Sequence, residues 1–155
     1  MTNYILHGGN TTLNYKNNNN FFAEINSTLD KSNPKILFIL WSRAKLDWDR
    51  ALEKYTEGII AHSKNKIDFE IAKDPQDFEN KVQDVDAVYV VGGDADKIEP
   101  FYSQLPNFRE QIEGKTYIGG SMGAFMVSNH YVLSFDNQDY LTVHEGLGIF
   151  NFNLL

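Results

Sequence analysis

Thr116-Tyr117-Ile118-Gly119-Gly120-Ser121-Met122-Gly123-Ala124 carries a short β-prone run into a cluster of small residues built around one serine. Such a run reads as a strand turning abruptly into a helix, and Gly119-Gly120-Ser121-Met122-Gly123 fits the G-x-S-x-G nucleophile elbow. The turn strains its central residue, so Gly119, Gly120, Gly123 and Ala124 supply the small neighbours that let strand and helix approach. The expected result is a Ser121 hydroxyl beyond the carboxyl end of a parallel sheet, where open α/β folds bind ligands. The Met122 N–H, opening the next helix, would then hold a developing oxyanion. The competing reading is a glycine-rich turn in which Ser121 only caps that helix.

Working outward, apolar runs at 4–6, 35–41, 67–71, 87–91 and 116–118 alternate with polar segments of helical spacing. That rhythm is βαβα. Ile36-Leu37-Phe38-Ile39-Leu40 and Val88-Tyr89-Val90-Val91 are apolar throughout, as strands covered on both faces must be. The spacing predicts a long amphipathic helix over 46–64, with Leu52, Tyr55, Ile59 and Trp48 on its inner face. Shorter helices are predicted over 20–29, 75–82 and 97–105, with a further turn or two over 107–112. Asp74 before Pro75 supplies a cap and a first turn. Beyond Ser121 the apolar patches at 131–135 and 147–152 predict irregular strands or a hairpin. The Asn17–Asn20 tract reads as a solvated loop entering a helix.

The whole is an α/β chain, three-layered and doubly wound on a mostly parallel sheet, with one domain over residues 1–155. Twenty-one acidic against 14 basic residues leave a net charge of −7, which argues against a nucleic-acid partner. No apolar run reaches membrane-spanning length and Met1–Leu6 does not resemble a signal peptide, so a cytoplasmic, membrane-free protein is expected. The absence of cysteine excludes disulfides, thiolate catalysis and Cys-type zinc sites. No spacing of histidines and carboxylates suggests a metal, and no cofactor is expected.

A second loop supports the elbow. Val91-Gly92-Gly93-Asp94 closes the fourth run, and its glycine pair lets a backbone N–H turn toward the site, making Gly93 the second oxyanion donor. A helix entry capped by Asp94 is the alternative, and both can hold together.

On Leu6-His7-Gly8-Gly9-Asn10, Val90-Val91-Gly92-Gly93-Asp94, Gly120-Ser121-Met122-Gly123-Ala124 and Gly146-Leu147-Gly148-Ile149-Phe150, the chain resembles the peptidase E and cyanophycinase group of serine peptidases. The resemblance runs over nearly the whole chain. It implies a class I glutamine amidotransferase-like (flavodoxin-like) fold and, with no cysteine at the elbow, serine chemistry. It implies Ser121 as nucleophile, Gly93 and Met122 as oxyanion donors, and Asp136 as the acid orienting a histidine, with Asp139 and Glu145 as weaker substitutes. Asp136 as an ordinary loop carboxylate remains open. Met122 stands where the family usually has alanine. The implied substrate is a small peptide, including one with an acidic first residue. For that, Arg43 is the nearest cation, unless it is a plain surface charge.

The family's histidine falls shortly after the Gly-Leu-Gly segment, so the resemblance places it just past Leu155 and the domain reads as lacking its C-terminal part. A serine hydroxyl without a base is a poor nucleophile, so this decides activity. His144, beside Glu145, is the best substitute, ahead of His130. His7 is a candidate for substrate binding or a satisfied loop histidine, and His62 falls on the polar side of its helix. Two functions are therefore expected in competition: a serine-type amide hydrolase acting through an acyl-enzyme, and a silent domain that binds a small molecule or a partner chain. An unfinished apolar edge near 149–155 would recruit a second copy, making a homodimer one expectation.

Overall fold

The computed structural model describes residues 1–12, 18–29, 31–133 and 142–154. Five strands, β1 (Asn3–His7), β2 (Lys35–Ile39), β3 (Asp68–Ala72), β4 (Ala87–Val90) and β5 (Thr116–Gly120), form one all-parallel sheet in the order β1-β5-β4-β2-β3. Burial follows position. β4 and β5 are buried at every residue and β2 at all but its first, whereas the edge strands β1 and β3 expose part of theirs.

Alternation within the apolar runs sends side chains into two cores. Ile36, Phe38 and Leu40 join Tyr89 and Val91 against α1 (Asn19–Thr28) and α2 (Trp48–His62). Leu37, Ile39 and Trp41 join Val88 and Val90 on the other face, against α3 (Pro75–Lys81), α4 (Ala95–Ile98), α5 (Phe108–Gln111) and α6 (Met122–Val127). The three-layer α/β expectation is therefore met. Relative to β1, the remaining strands follow the flavodoxin-like progression, with β1 standing where a fifth strand would lie.

Several boundaries differ from expectation for local reasons. The long helix begins at Trp48 after a 3-10 turn, Lys45–Asp47, and the helix expected over 97–105 is α4 followed by a 3-10 stretch, Glu99–Gln104, with Pro100 in its first turn. Asp74 caps α3 as expected, accepting from the Asp77 N–H at 2.8 Å. Asp94 does not cap α4; its carboxylate pairs with Lys97 instead. Beyond α6 a small ribbon forms: β6 (His130–Val132) pairs antiparallel with β7 (Val143–Glu145) and parallel with β8 (Asn153–Leu154).

The helices after β1 and β2 lie on one face and those after β4 and β5 on the other. The connection to the following helix thus changes face between the neighbouring strands β2 and β4 and between β1 and β5. Crevices at such switch points, outside the carboxyl ends of the strands, are where this architecture places ligands.

Candidate active site

Ser121 joins β5 to α6 with φ 51° and ψ −109°, one of three non-glycine residues at positive φ among those described. The main chain enforces this conformation. The Ser121 N–H donates to the His7 carbonyl at 2.8 Å, while its carbonyl accepts from Ala124 at 2.7 Å and Phe125 at 3.0 Å. Close packing explains the glycines: a Cβ on Gly119 would lie 2.6 Å from the Gly123 carbonyl oxygen, and one on Gly123 only 2.1 Å from that of Val90. Gly120 departs from expectation, since a Cβ there would meet nothing nearer than 3.9 Å. The Ser121 hydroxyl makes no capping bond to α6, so the capping-serine reading fails.

The hydroxyl lies at a cavity of about 300 Å³ spanning both switch points. Its walls come from Gly9, Asn10, Thr11 and Thr12 after β1, Arg43 after β2, Gly92 and Gly93 after β4, Gly120 and Ser121 at the elbow, and Tyr55 of α2. The Gly92-Gly93 loop is pressed against two neighbours: a Cβ on Gly92 would stand 3.0 Å from that of Ser121, and one on Gly93 would stand 2.3 Å from the Ser42 carbonyl oxygen. The Asp94 N–H to that same carbonyl (2.8 Å) and the Ser42 hydroxyl to the Val91 carbonyl (3.1 Å) lock the two loops together. No carbonyl among the described residues accepts the Gly93 N–H. Met122 opens its helix, so its N–H has no acceptor within it. The Met122 side chain is buried in the core and does not line the cavity. A larger hollow, about 490 Å³ between the ends of α1 and α2, has no residue at positive φ in its wall.

The family model of peptidase family S51 matches residues 4–155. The chain belongs to peptidase family S51. That family comprises serine peptidases of the dipeptidase E kind. Among solved structures, the S51 chain is similar to a Listeria monocytogenes EGD-e protein assigned to peptidase E, at TM-score 0.64 and 19% identity over 97% of this chain and 76% of that one. A peptidase from an acI-B1 actinobacterium follows at TM-score 0.61 and 19% identity, over 94% of this chain and 64% of its own. At such identity the likeness is one of fold. No curated protein matches the chain.

The histidines of this S51 chain lie elsewhere. His7 accepts the Gly9 N–H on Nδ1 at 3.1 Å and rests on Phe21, with ring centroids 4.9 Å apart. It thus braces the loop that approaches Ser121 and does not line the cavity. His62 is bonded to the Gly58 carbonyl and to Asn19. His130 lies in β6. His144 bonds Oε1 of Glu99 through Nδ1 at 2.7 Å and stacks on Tyr131, whose hydroxyl donates to the same carboxylate oxygen. Burial, then the bond to Glu99, pushes the Tyr131 hydroxyl pKa far up. None of the four is bonded to Ser121. Asp136 and Asp139 lie outside the described residues, and Glu145 is exposed on β7.

Arg43, expected only as the nearest cation, is a cavity residue. Its Nη2 donates to the Tyr55 hydroxyl at 3.1 Å. Tyr55 and Tyr89 were legible only as core residues. Tyr89 is wholly buried beneath the elbow, with its hydroxyl pKa raised by desolvation. Among the described residues no group of three or more potential ligands is arranged for a metal, and no helix is long and apolar enough to cross a membrane.

Proposed function

We propose that the chain is a serine peptidase that cleaves small peptides through an acyl-enzyme on Ser121. The observation that carries this reading is the elbow: a serine at φ 51° with a hydroxyl not spent on its helix, opening on a cavity of about 300 Å³. Strain of this kind persists only where surrounding packing over-determines it, and it concentrates at reactive positions.

In the proposed reaction the Ser121 Oγ attacks the scissile carbonyl and the Gly93 and Met122 N–H groups receive the oxyanion. The amine leaves with a proton, and water then releases the acyl group. The Oγ proton passes to a histidine that Asp136 orients, as the family resemblance implies. The Nδ1 bond of His144 to Glu99 argues against His144 in that role. The small cavity and polar walls suit a short peptide. Cytoplasmic placement and kinship with glutamine amidotransferases belong to the same proposal, the kinship supported by a serine elbow at the end of a strand in a parallel sheet.

Labelling with a fluorophosphonate probe tests the nucleophile. The folded protein is expected to incorporate the probe and Ser121→Ala is expected to incorporate none. A folded protein that stays unlabelled, or labelling that survives Ser121→Ala, overturns the assignment.

A further inference from the structure

Resting on that reading, we infer that His7 is a pH-sensitive positioning residue: its neutral imidazole holds the loop at 8–10 against Ser121, and protonation of the ring releases that wall of the cavity. The direction of one hydrogen bond fixes the charge state. The Gly9 N–H donates to His7 Nδ1 at 3.1 Å. A backbone N–H can only donate, so Nδ1 carries no proton and the ring is the neutral Nε2–H tautomer. Protonation would set a second N–H against the first and abolish the bond.

Little else holds the loop. Gly9 at φ 127° and Asn10 at φ 57° place two consecutive residues in positive-φ backbone, a conformation that its surroundings must maintain. A Cβ on Gly8 would meet nothing within 4 Å. Further along, the Asn18 side chain donates to the Asn10 and Thr11 carbonyls at 3.2 and 3.4 Å. Yet the loop bears directly on the elbow: a Cβ on Gly9 would lie 3.3 Å from that of Ser121, and both residues line the cavity. His7 grips this corner twice, since its carbonyl also accepts from the Ser121 N–H at 2.8 Å.

The half-buried ring rests on Phe21 of α1, and no carboxylate among the described residues pairs with it. On the elements around it the titratable groups are few. Glu24 of α1 is exposed, whereas Tyr4 of β1 and Tyr117 of β5 face the opposite core; α6 and residues 8–12 carry none. Tyr89 lies beyond Phe21, its hydroxyl pKa raised by burial. An imidazolium at position 7 therefore gains hydration by letting the loop go.

Asparagine separates the brace from the charge. Its Oδ1 stands where Nδ1 does, accepts from the N–H two residues on, and does not titrate. Amide exchange and fluorophosphonate labelling are followed from about pH 8 to about pH 5, the range in which imidazoles take up a proton. Gly9 protection, measured against an unstructured amide at the same pH, is expected to fall about tenfold in the unaltered protein. His7→Asn is expected to keep that protection at every pH, and His7→Leu to lack it throughout. The Ser121 labelling rate, divided by that of His7→Asn to cancel other titrating groups, is expected to fall about fivefold toward the acid end. Flat Gly9 protection in the unaltered protein, or equal titration in His7→Asn, overturns the brace, and a constant labelling ratio overturns its hold on Ser121. Protein that takes up no probe at any pH breaks the nucleophile reading instead, while Gly9 exchange decides the brace whether or not Ser121 reacts.

Discussion

Ser121 and His144 hold the same kinds of group that a serine peptidase pairs, yet the fold treats them oppositely. The serine is fixed by main chain, through the His7 carbonyl, the first turn of α6 and the Gly119–Gly123 crossing, and its hydroxyl is not spent on capping α6. The histidine is fixed through its side chain, with Nδ1 on Glu99 and its ring on Tyr131, which in turn stacks on Phe125 at 5.0 Å. Backbone packing thus fixes the elbow serine and the Gly92-Gly93 loop beside it, the proposed nucleophile and one proposed oxyanion donor. The imidazole of His144 serves to bind the β6–β7 ribbon to the segment after α4.

The strongest way to break this contrast is to disturb the crossing. Gly123→Ala would drive a methyl to 2.1 Å from the Val90 carbonyl oxygen, deep between two backbones that cannot yield cheaply. A loss of about 3 kcal/mol is expected, with labelling of Ser121 abolished, as read by urea unfolding and probe incorporation. An unchanged unfolding midpoint would mean that the elbow is not held by main-chain packing.

His144→Ala probes the other side. It removes a hydrogen bond to a carboxylate and one ring of the stack, so about 2 kcal/mol of stability should go while the labelling rate stays as it was. The reverse outcome, labelling lost at unchanged stability, would transfer His144 to the catalytic machinery.

Ser121→Gly sharpens the comparison by the smallest amount. Glycine adopts φ 51° without the Cβ penalty, so a gain of about 1 kcal/mol is expected alongside complete loss of labelling. A melting temperature below that of the parent protein would show that the serine side chain contributes to cohesion and is not merely tolerated there.

Much of the fold was legible because it is written in local periodicity. Ile36 to Leu40 alternate between two cores, which is what an all-apolar run in a doubly covered strand must do. The elbow was legible because a strained turn between strand and helix leaves few choices of residue at Gly119 and Gly123. Gly120 misled by looking like its neighbours; a Cβ there would make only ordinary contacts with Thr11 and Tyr89, and only their positions reveal that. His144 beside Glu145 suggested a mobile base, and no pattern pointed to its partner Glu99, 45 residues earlier. Tyr55 read simply as the buried face of a helix.

Sequence alone determined the strand and helix order, the cysteine-free serine chemistry and the place of Ser121, since each depends on residues within one turn or one strand of another. Tertiary structure decided the rest: the order β1-β5-β4-β2-β3 brings the loops after four different strands to one cavity, sets Arg43 against Tyr55, and takes His144 to Glu99. Those meetings join segments far apart in the chain, and only the lateral order of strands determines which of them become neighbours.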